Sequence, residues 1–167
     1  TEKAGGSDVG ANETVARKSG EHWLLSGEMW FSSNVDAEWI LALARPEGGV
    51  SGTRGLGLFL IERAAQTSDT FSIARLKDKL GTRTMPTGEV ILADAPARLV
   101  GPLDAGFKQM ANMLNLSRLY NAAISVGLMG RAWIDARSYA LQRKTFGKPV
   151  AEHPLAAEVL ETMRDEY

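Results

Sequence analysis

A chain of 167 residues that is 44% hydrophobic and 23% charged has enough apolar material for a sizeable core, in one domain or two small ones, so a disordered chain is excluded. A formal net charge of -1 argues against a protein whose main task is to grip nucleic acid or an anionic membrane. Cysteine is absent, which removes disulfides and thiolate chemistry and fits a reducing compartment, and the two histidines, His22 and His153, are too far apart in sequence to suggest a metal site.

No apolar run approaches the roughly 18 residues of a membrane span and no signal-type pattern opens the chain, so a soluble protein with no membrane partner is expected. The first residue is Thr1, not methionine, which reads as a processed chain or an excised piece. "TEKAGGSDVG" reads as a short loop in which Gly5 and Gly6 let the backbone approach a ligand, while Thr1, Ser7 and Asp8 offer hydroxyls and a carboxylate. Spacing alone favours an ordinary surface turn.

From residue 23 to about residue 98 the segments are short, rich in β-branched and aromatic residues and separated by turn signals: "HWLLSGEMWF", "AEWILALARPE", "GLGLFLIERA", "FSIARL" and "TGEVILADA". They predict an antiparallel β barrel or sandwich, with Gly27, residues 46–57 and residues 66–69 as loops. "GEMWFSSN" sets two aromatics against two serines at a strand end, a surface able to stack on a flat ring or simply a core pair followed by an Asn turn. Arg75, Lys77 and Lys79 alternate and share one face, which reads as a solvated, charged edge.

After "LVGPLDAGF" the period changes. Phe107, Met110, Leu114, Arg118, Asn121, Ser125, Leu128 and Ala132 follow helical spacing with no proline until Pro149, predicting one helix from about 106 to about 144. At 1.5 Å per residue it is on the order of 55 Å long, more than a small β domain covers, so most of it calls for helices from other segments or subunits. At its end "RKTFGKP" reads equally as a basic helix terminus stopped by Gly147 and Pro149, or as a phosphate clamp with Arg143 and Thr145 as donors. "AEHPLAAEVLETMRDEY" opens a second helix.

Taken together, these stretches resemble the FAD-dependent acyl-CoA dehydrogenases. "TEKAGGSDV" is similar to that family's TE-x-x-AGSD loop, "LSGEMWFSSN" to its aromatic strand end, and "RLKDKLGTRTMPTGEVILADA" to its late strands. "GFKQMANMLNLSRL" is similar to its first long helix and "ALQRKTFGKPVAEHPL" to its Arg-x-x-Phe-Gly turn, so five motifs stand in family order along nearly the whole chain.

The resemblance implies an α+β chain: residues 1–104 as a middle β domain and residues 105–167 as the start of a C-terminal four-helix bundle. It implies FAD as cofactor, with Thr1, Gly6 and Ser7 beside the flavin and Phe31, Ser32 and Ser33 packing on the ring near N5. Arg143, Lys144, Thr145 and Phe146, with His153 and Pro154 close by, would reach the pyrophosphate and adenosine side from a neighbouring subunit. Ser7, Asn115, Leu116, Ser117 and Arg118 would meet the acyl-CoA substrate. Lys3 stands where many members carry proline, and Phe31 and Ser33 replace the frequent Trp and Thr.

The implied reaction is α,β-dehydrogenation of an acyl-CoA thioester to the trans-2-enoyl-CoA, in a homodimer or homotetramer whose electrons leave to an electron-transfer flavoprotein or to oxygen. The implied location is the bacterial cytoplasm, or the mitochondrial matrix in a eukaryote. No catalytic base and no metal ligand is assigned in this segment: where some members place the base, before the helix arginine, stands Ser117. The alternatives are a flavoprotein of the same fold with oxidase or monooxygenase chemistry, a non-catalytic interaction fragment, or a member of the DNA-associated alkylation-response (AidB-like) branch, to which "RLKDKLGTR" and "SRLYNA" are similar.

Overall fold

The structure is a computed structural model that describes residues 1–4 and 6–167; Gly5 lies outside the described residues. The chain divides into two compact units, Thr1–Asn112 and Met113–Tyr167.

In the first unit, strands β1 (Val15–Ser19), β2 (His22–Ser32), β3 (Trp39–Pro46), β4 (Gly57–Glu62), β5 (Phe71–Leu76) and β6 (Gly88–Val100) form one sheet in the order β2-β1-β3-β4-β6-β5. A further β2–β6 pairing joins the ends of the first five, so the sheet closes into a barrel with β5 on its flank. Every pairing is antiparallel except β1–β3, which is parallel. Closure leaves few open edges and turns one face of every strand inward. Ala16, Leu25, Met29, Ile40, Phe59, Ile61, Val90 and Leu92 fill that interior, and Trp23 meets Phe59 edge-on at 5.4 Å.

Three details differ from the sequence expectations. β1 begins ahead of residue 23, in "VARKS", a stretch with one buried apolar residue, Ala16, and so with little strand signal of its own. Gly27 is inside β2 and not a loop: the register shifts between Leu25 and Gly27, and a Cβ there would lie 2.8 Å from the Thr14 Cα. Of the three alternating cations only Arg75 is within a strand; Lys77 turns to Glu89 of β6 and Lys79 to oxygens of the link between β5 and β6, in place of forming a solvated edge.

Helix α1 (Gly106–Gln142) follows as 37 residues, about 55 Å of helix, as expected. Its start is seated in the first unit. The Gly106 amide donates to the Leu56 carbonyl at 3.1 Å, and Met110 packs on a small cluster of Leu43, Leu56 and Leu58. In the second unit Leu119, Tyr120, Ile124, Leu128, Ile134 and Tyr139 of α1 are exposed and spread around most of its circumference. Helix α2 (Pro154–Glu166) has proline at its first turn and folds back on α1, where Tyr167 stacks on Trp133 at 6.4 Å.

Between the helices α1 ends at Gln142, and the expected turn is a hairpin of β7 (Lys144–Thr145) and β8 (Lys148–Pro149). Phe146 (φ 51°) and Gly147 (φ 86°) supply the two left-handed residues that a tight two-residue hairpin loop requires.

Candidate functional site

The N-terminal loop and the end of β2 form one surface. The Thr1 carbonyl accepts from the Trp30 amide at 2.7 Å and the Phe31 amide at 3.2 Å. Glu2, only 6% exposed, turns its carboxylate inward to accept from the amides of Thr14, at 3.1 Å, and Glu13. A carboxylate holding two backbone donors anchors the loop that carries Gly6 and Ser7.

The β2–β6 register shifts again between Met29 and Ser32, and this irregularity turns Trp30 and Phe31 against each other, edge to face at 6.5 Å. Phe31 is half exposed, Ser32 is buried and Ser33 is exposed. The hydroxyls of Ser7 and Ser33 have no hydrogen-bond partner among the described residues, so both are available to a ligand. Asn34 Oδ1 accepts from the Asp36 amide at 3.2 Å and closes the turn.

Beneath the aromatics lies a charge cluster. Lys77 Nζ stands 3.5 Å from the centroid of the Trp30 ring and 4.4 Å from that of Phe31. It also donates to Glu89 Oε1 at 2.6 Å, the oxygen that Arg75 reaches at the same distance. Hydrogen bonding from Lys77, then from Arg75, holds the Glu89 carboxyl below the ordinary carboxylate range. Lys3 pairs with Glu28 at 2.7 Å and lies 4.8 Å from the Trp30 centroid.

On α1, Asn115, Leu116, Ser117 and Arg118 are all exposed within one turn. Arg118 Nη1 donates to Asn115 Oδ1 at 3.3 Å, and the Ser117 hydroxyl turns to the Met113 sulfur. This turn offers a guanidinium and an amide but no carboxylate.

In the β7–β8 hairpin the Val150 amide donates to the Arg143 carbonyl at 2.8 Å. His153 Nε2 lies 3.1 Å from both the carbonyl and the hydroxyl of Thr145. A carbonyl can only accept, so Nε2 carries the proton, and Thr145 keeps its own hydroxyl proton to donate outward. The side chains of Arg143 and Lys144 have no ion pair or hydrogen bond among the described residues. Phe146 is 98% exposed and touches His153 edge-on, while Pro154 begins α2.

The donors fit FAD chemically: free hydroxyls and an exposed aromatic face suit a flavin ring, and an unpaired guanidinium, an ammonium and a hydroxyl suit a pyrophosphate. Glu2, Lys77 and Glu89 were not legible as contributors. Nothing in a sequence marks which surface-type charges turn inward.

A family model described as the acyl-CoA dehydrogenase middle domain matches residues 1–95, and one described as the acyl-CoA dehydrogenase C-terminal domain matches residues 104–167. The chain belongs to the acyl-CoA dehydrogenase family. It is 39% identical to acyl-CoA dehydrogenase family member 11 of Caenorhabditis elegans, over 98% of this chain and 28% of that protein. It is 35% identical to the putative acyl-CoA dehydrogenase AidB of Escherichia coli strain K12, over 98% of this chain and 30% of that protein. The crystal structure of C. elegans ACDH-11 in complex with C11-CoA superposes with a TM-score of 0.89 at 39% identity, covering 99% of this chain and 29% of that one. The chain thus spans less than a third of these acyl-CoA dehydrogenase relatives. No described helix is long and apolar enough to cross a membrane.

Proposed function

We propose that this chain is part of an FAD-dependent acyl-CoA dehydrogenase that converts saturated acyl-CoA thioesters to trans-2-enoyl-CoA. The observation that carries the reading is the strand end at Phe31 to Ser33, where a half-exposed ring and a free hydroxyl share a surface braced by the Thr1 carbonyl. On this reading residues 1–104 are the middle domain and residues 105–167 open the helical bundle.

Phe31 and Ser32 would hold one face of the flavin and exclude water there, and the Ser33 hydroxyl would donate to the ring edge near N5. Thr1, Gly6 and Ser7 line the adjacent loop, where Ser7 also meets the acyl thioester. Arg143, Lys144 and Thr145 neutralise the pyrophosphate of a neighbouring subunit's cofactor, with Phe146, His153 and Pro154 shaping that turn. Asn115, Leu116, Ser117 and Arg118 hold the CoA moiety. The chemistry that FAD would supply at this surface is acceptance of a hydride from the β carbon.

The α proton would go to a carboxylate that another part of the full-length protein supplies, since Ser117 has no basic group and its turn of α1 offers no carboxylate. The exposed apolar circumference of α1 supports burial in a homodimer or homotetramer. The electron acceptor would be an electron-transfer flavoprotein or oxygen, in the bacterial cytoplasm or the mitochondrial matrix.

The test is anaerobic mixing of the full-length protein with saturated acyl-CoA of several chain lengths. Bleaching of the oxidised flavin band near ~450 nm together with an enoyl-CoA product supports the reading. A flavin that stays oxidised with every chain length sinks it in favour of a same-fold flavoprotein with oxidase, monooxygenase or DNA-associated alkylation-response chemistry.

A further inference from the structure

Residues 77–87 link β5 to β6 and end beside Ser33. The Lys79 ammonium stands among four oxygens of this link: the Thr82 carbonyl at 2.7 Å, the Met85 carbonyl at 2.7 Å, the Thr87 hydroxyl at 3.0 Å and the Thr82 hydroxyl at 3.3 Å. Its three protons are thereby all engaged. Arg83 Nε donates back to the Lys79 carbonyl at 2.7 Å, and the Met85 amide donates to the Thr82 carbonyl at 3.1 Å.

Apolar burial does not hold this link, because Leu80 at its tip is fully exposed. Its backbone is also strained. Thr82, a β-branched residue, has φ 52°, a conformation that persists only where the surroundings over-determine it. The Lys79 cage supplies that determination, with two of its four contacts to Thr82 itself.

The Thr87 hydroxyl carries the cage outward. It accepts from Lys79 and donates to the Ser33 carbonyl at 2.9 Å. One residue earlier, the Pro86 carbonyl accepts from the Val35 amide at 3.0 Å, and one residue later Gly88 pairs with Ser32. Residues 32–35 are therefore held against Pro86 and Thr87, the last two positions of the link that the ammonium braces, and against Gly88 of β6.

We propose that Lys79 is a positioning residue for the flavin: its ammonium fixes residues 82–87 and, through the Thr87 hydroxyl, the Ser33 carbonyl, and so sets the direction in which the Ser33 hydroxyl meets the cofactor. The inference rests on the reading above that Ser33 donates to the flavin edge. Without the ammonium, the carbonyls of Thr82 and Met85 lose their charged donor, and the Thr87 hydroxyl is free to turn from Ser33.

The test uses the full-length, FAD-loaded protein with Lys79→Met, Thr87→Val, Thr87→Ser and Ser33→Ala, reading the visible spectrum and reduction potential of the bound flavin beside kcat and KM. Lys79→Met and Thr87→Val are expected to move spectrum and potential in the direction of Ser33→Ala, and to lower kcat about tenfold with KM within about twofold. Thr87→Ser, which keeps the hydroxyl, restores the spectrum. The inference is overturned if Ser33→Ala moves the spectrum and potential while Lys79→Met and Thr87→Val leave them as in the parent. Where Lys79→Met does not fold, Thr87→Val decides alone. If Ser33→Ala itself leaves both unchanged, the flavin assignment of Ser33 falls and the inference with it.

Discussion

The ammonium of Lys77 lies 2.6 Å from the carboxylate of Glu89, with about nine-tenths of each side chain covered, 10% and 9% remaining exposed. The Glu89 carboxyl is held below its ordinary range, so its folded pKa is lower than its unfolded one. Its contribution to stability is therefore complete above the unfolded value, about 4.3, and disappears as pH falls through the folded value. Denaturant unfolding of the protein between about pH 6 and about pH 3 is expected to show stability declining, with a shallower decline in Glu89→Gln. Identical slopes for parent and variant would show that Glu89 does not carry the acid sensitivity.

Thr14 is fully buried, and its hydroxyl has no hydrogen-bond partner among the described residues, although its amide and carbonyl are bonded to Glu2 and Arg45. Thr14→Val keeps the shape and removes a desolvated polar atom. It is expected to stabilise the protein by about 1 kcal/mol, raising Tm by roughly 2–4 °C. A fall in Tm would mean that the hydroxyl has a partner in solution.

Two glycines mark close backbone approaches. A Cβ on Gly27 would meet Thr14, and one on Gly106 would meet the backbone of Leu56, Gly57 and Leu58, where α1 is seated. Gly27→Ala and Gly106→Ala are each expected to cost about 1–3 kcal/mol by overpacking. Gly6→Ala is the control, since a Cβ there meets nothing within 4 Å among the described residues. Chemical denaturation of the three variants checks the order.

The Arg143 side chain has no ion pair or hydrogen bond among the described residues, so Arg143→Ala should leave stability within about 0.5 kcal/mol of the parent. In the full-length protein it should weaken FAD binding roughly ten- to a hundredfold, the worth of a charge-assisted contact of about 1.5 to 3 kcal/mol. Flavin titration with unchanged affinity would remove Arg143 from the pyrophosphate site.

Gly147 (φ 86°) occupies the second left-handed position of the β7–β8 turn. Gly147→Ala is expected to loosen the hairpin by about 1 kcal/mol, read as faster hydrogen exchange at the Val150 amide, which is bonded to Arg143. Unchanged protection at Val150 would count against strain at this turn.

The sequence by itself determined the element types, the change from strand to helix near residue 106 and the family. Those signals are local: short runs rich in β-branched and aromatic residues between turn signals in β2 to β6, a helical period in α1, and five short motifs in order. It also implied the length of α1 and the need to cover it. Tertiary structure alone decided the direction of individual side chains. Periodicity put Arg75, Lys77 and Lys79 on one face, yet Lys77 turns under Trp30, and Lys79 closes a cage that reaches Ser33. Gly27 carried a turn signal, but the nearness of Thr14 makes it a strand residue without room for a side chain. β1 left almost no trace because its pairing comes from β2 and β3, not from its own residues. Local propensity is written in neighbouring residues, whereas which polar group meets which acceptor depends on segments far apart in the chain, such as Ser33 and Thr87, 54 positions apart, that only barrel closure brings together.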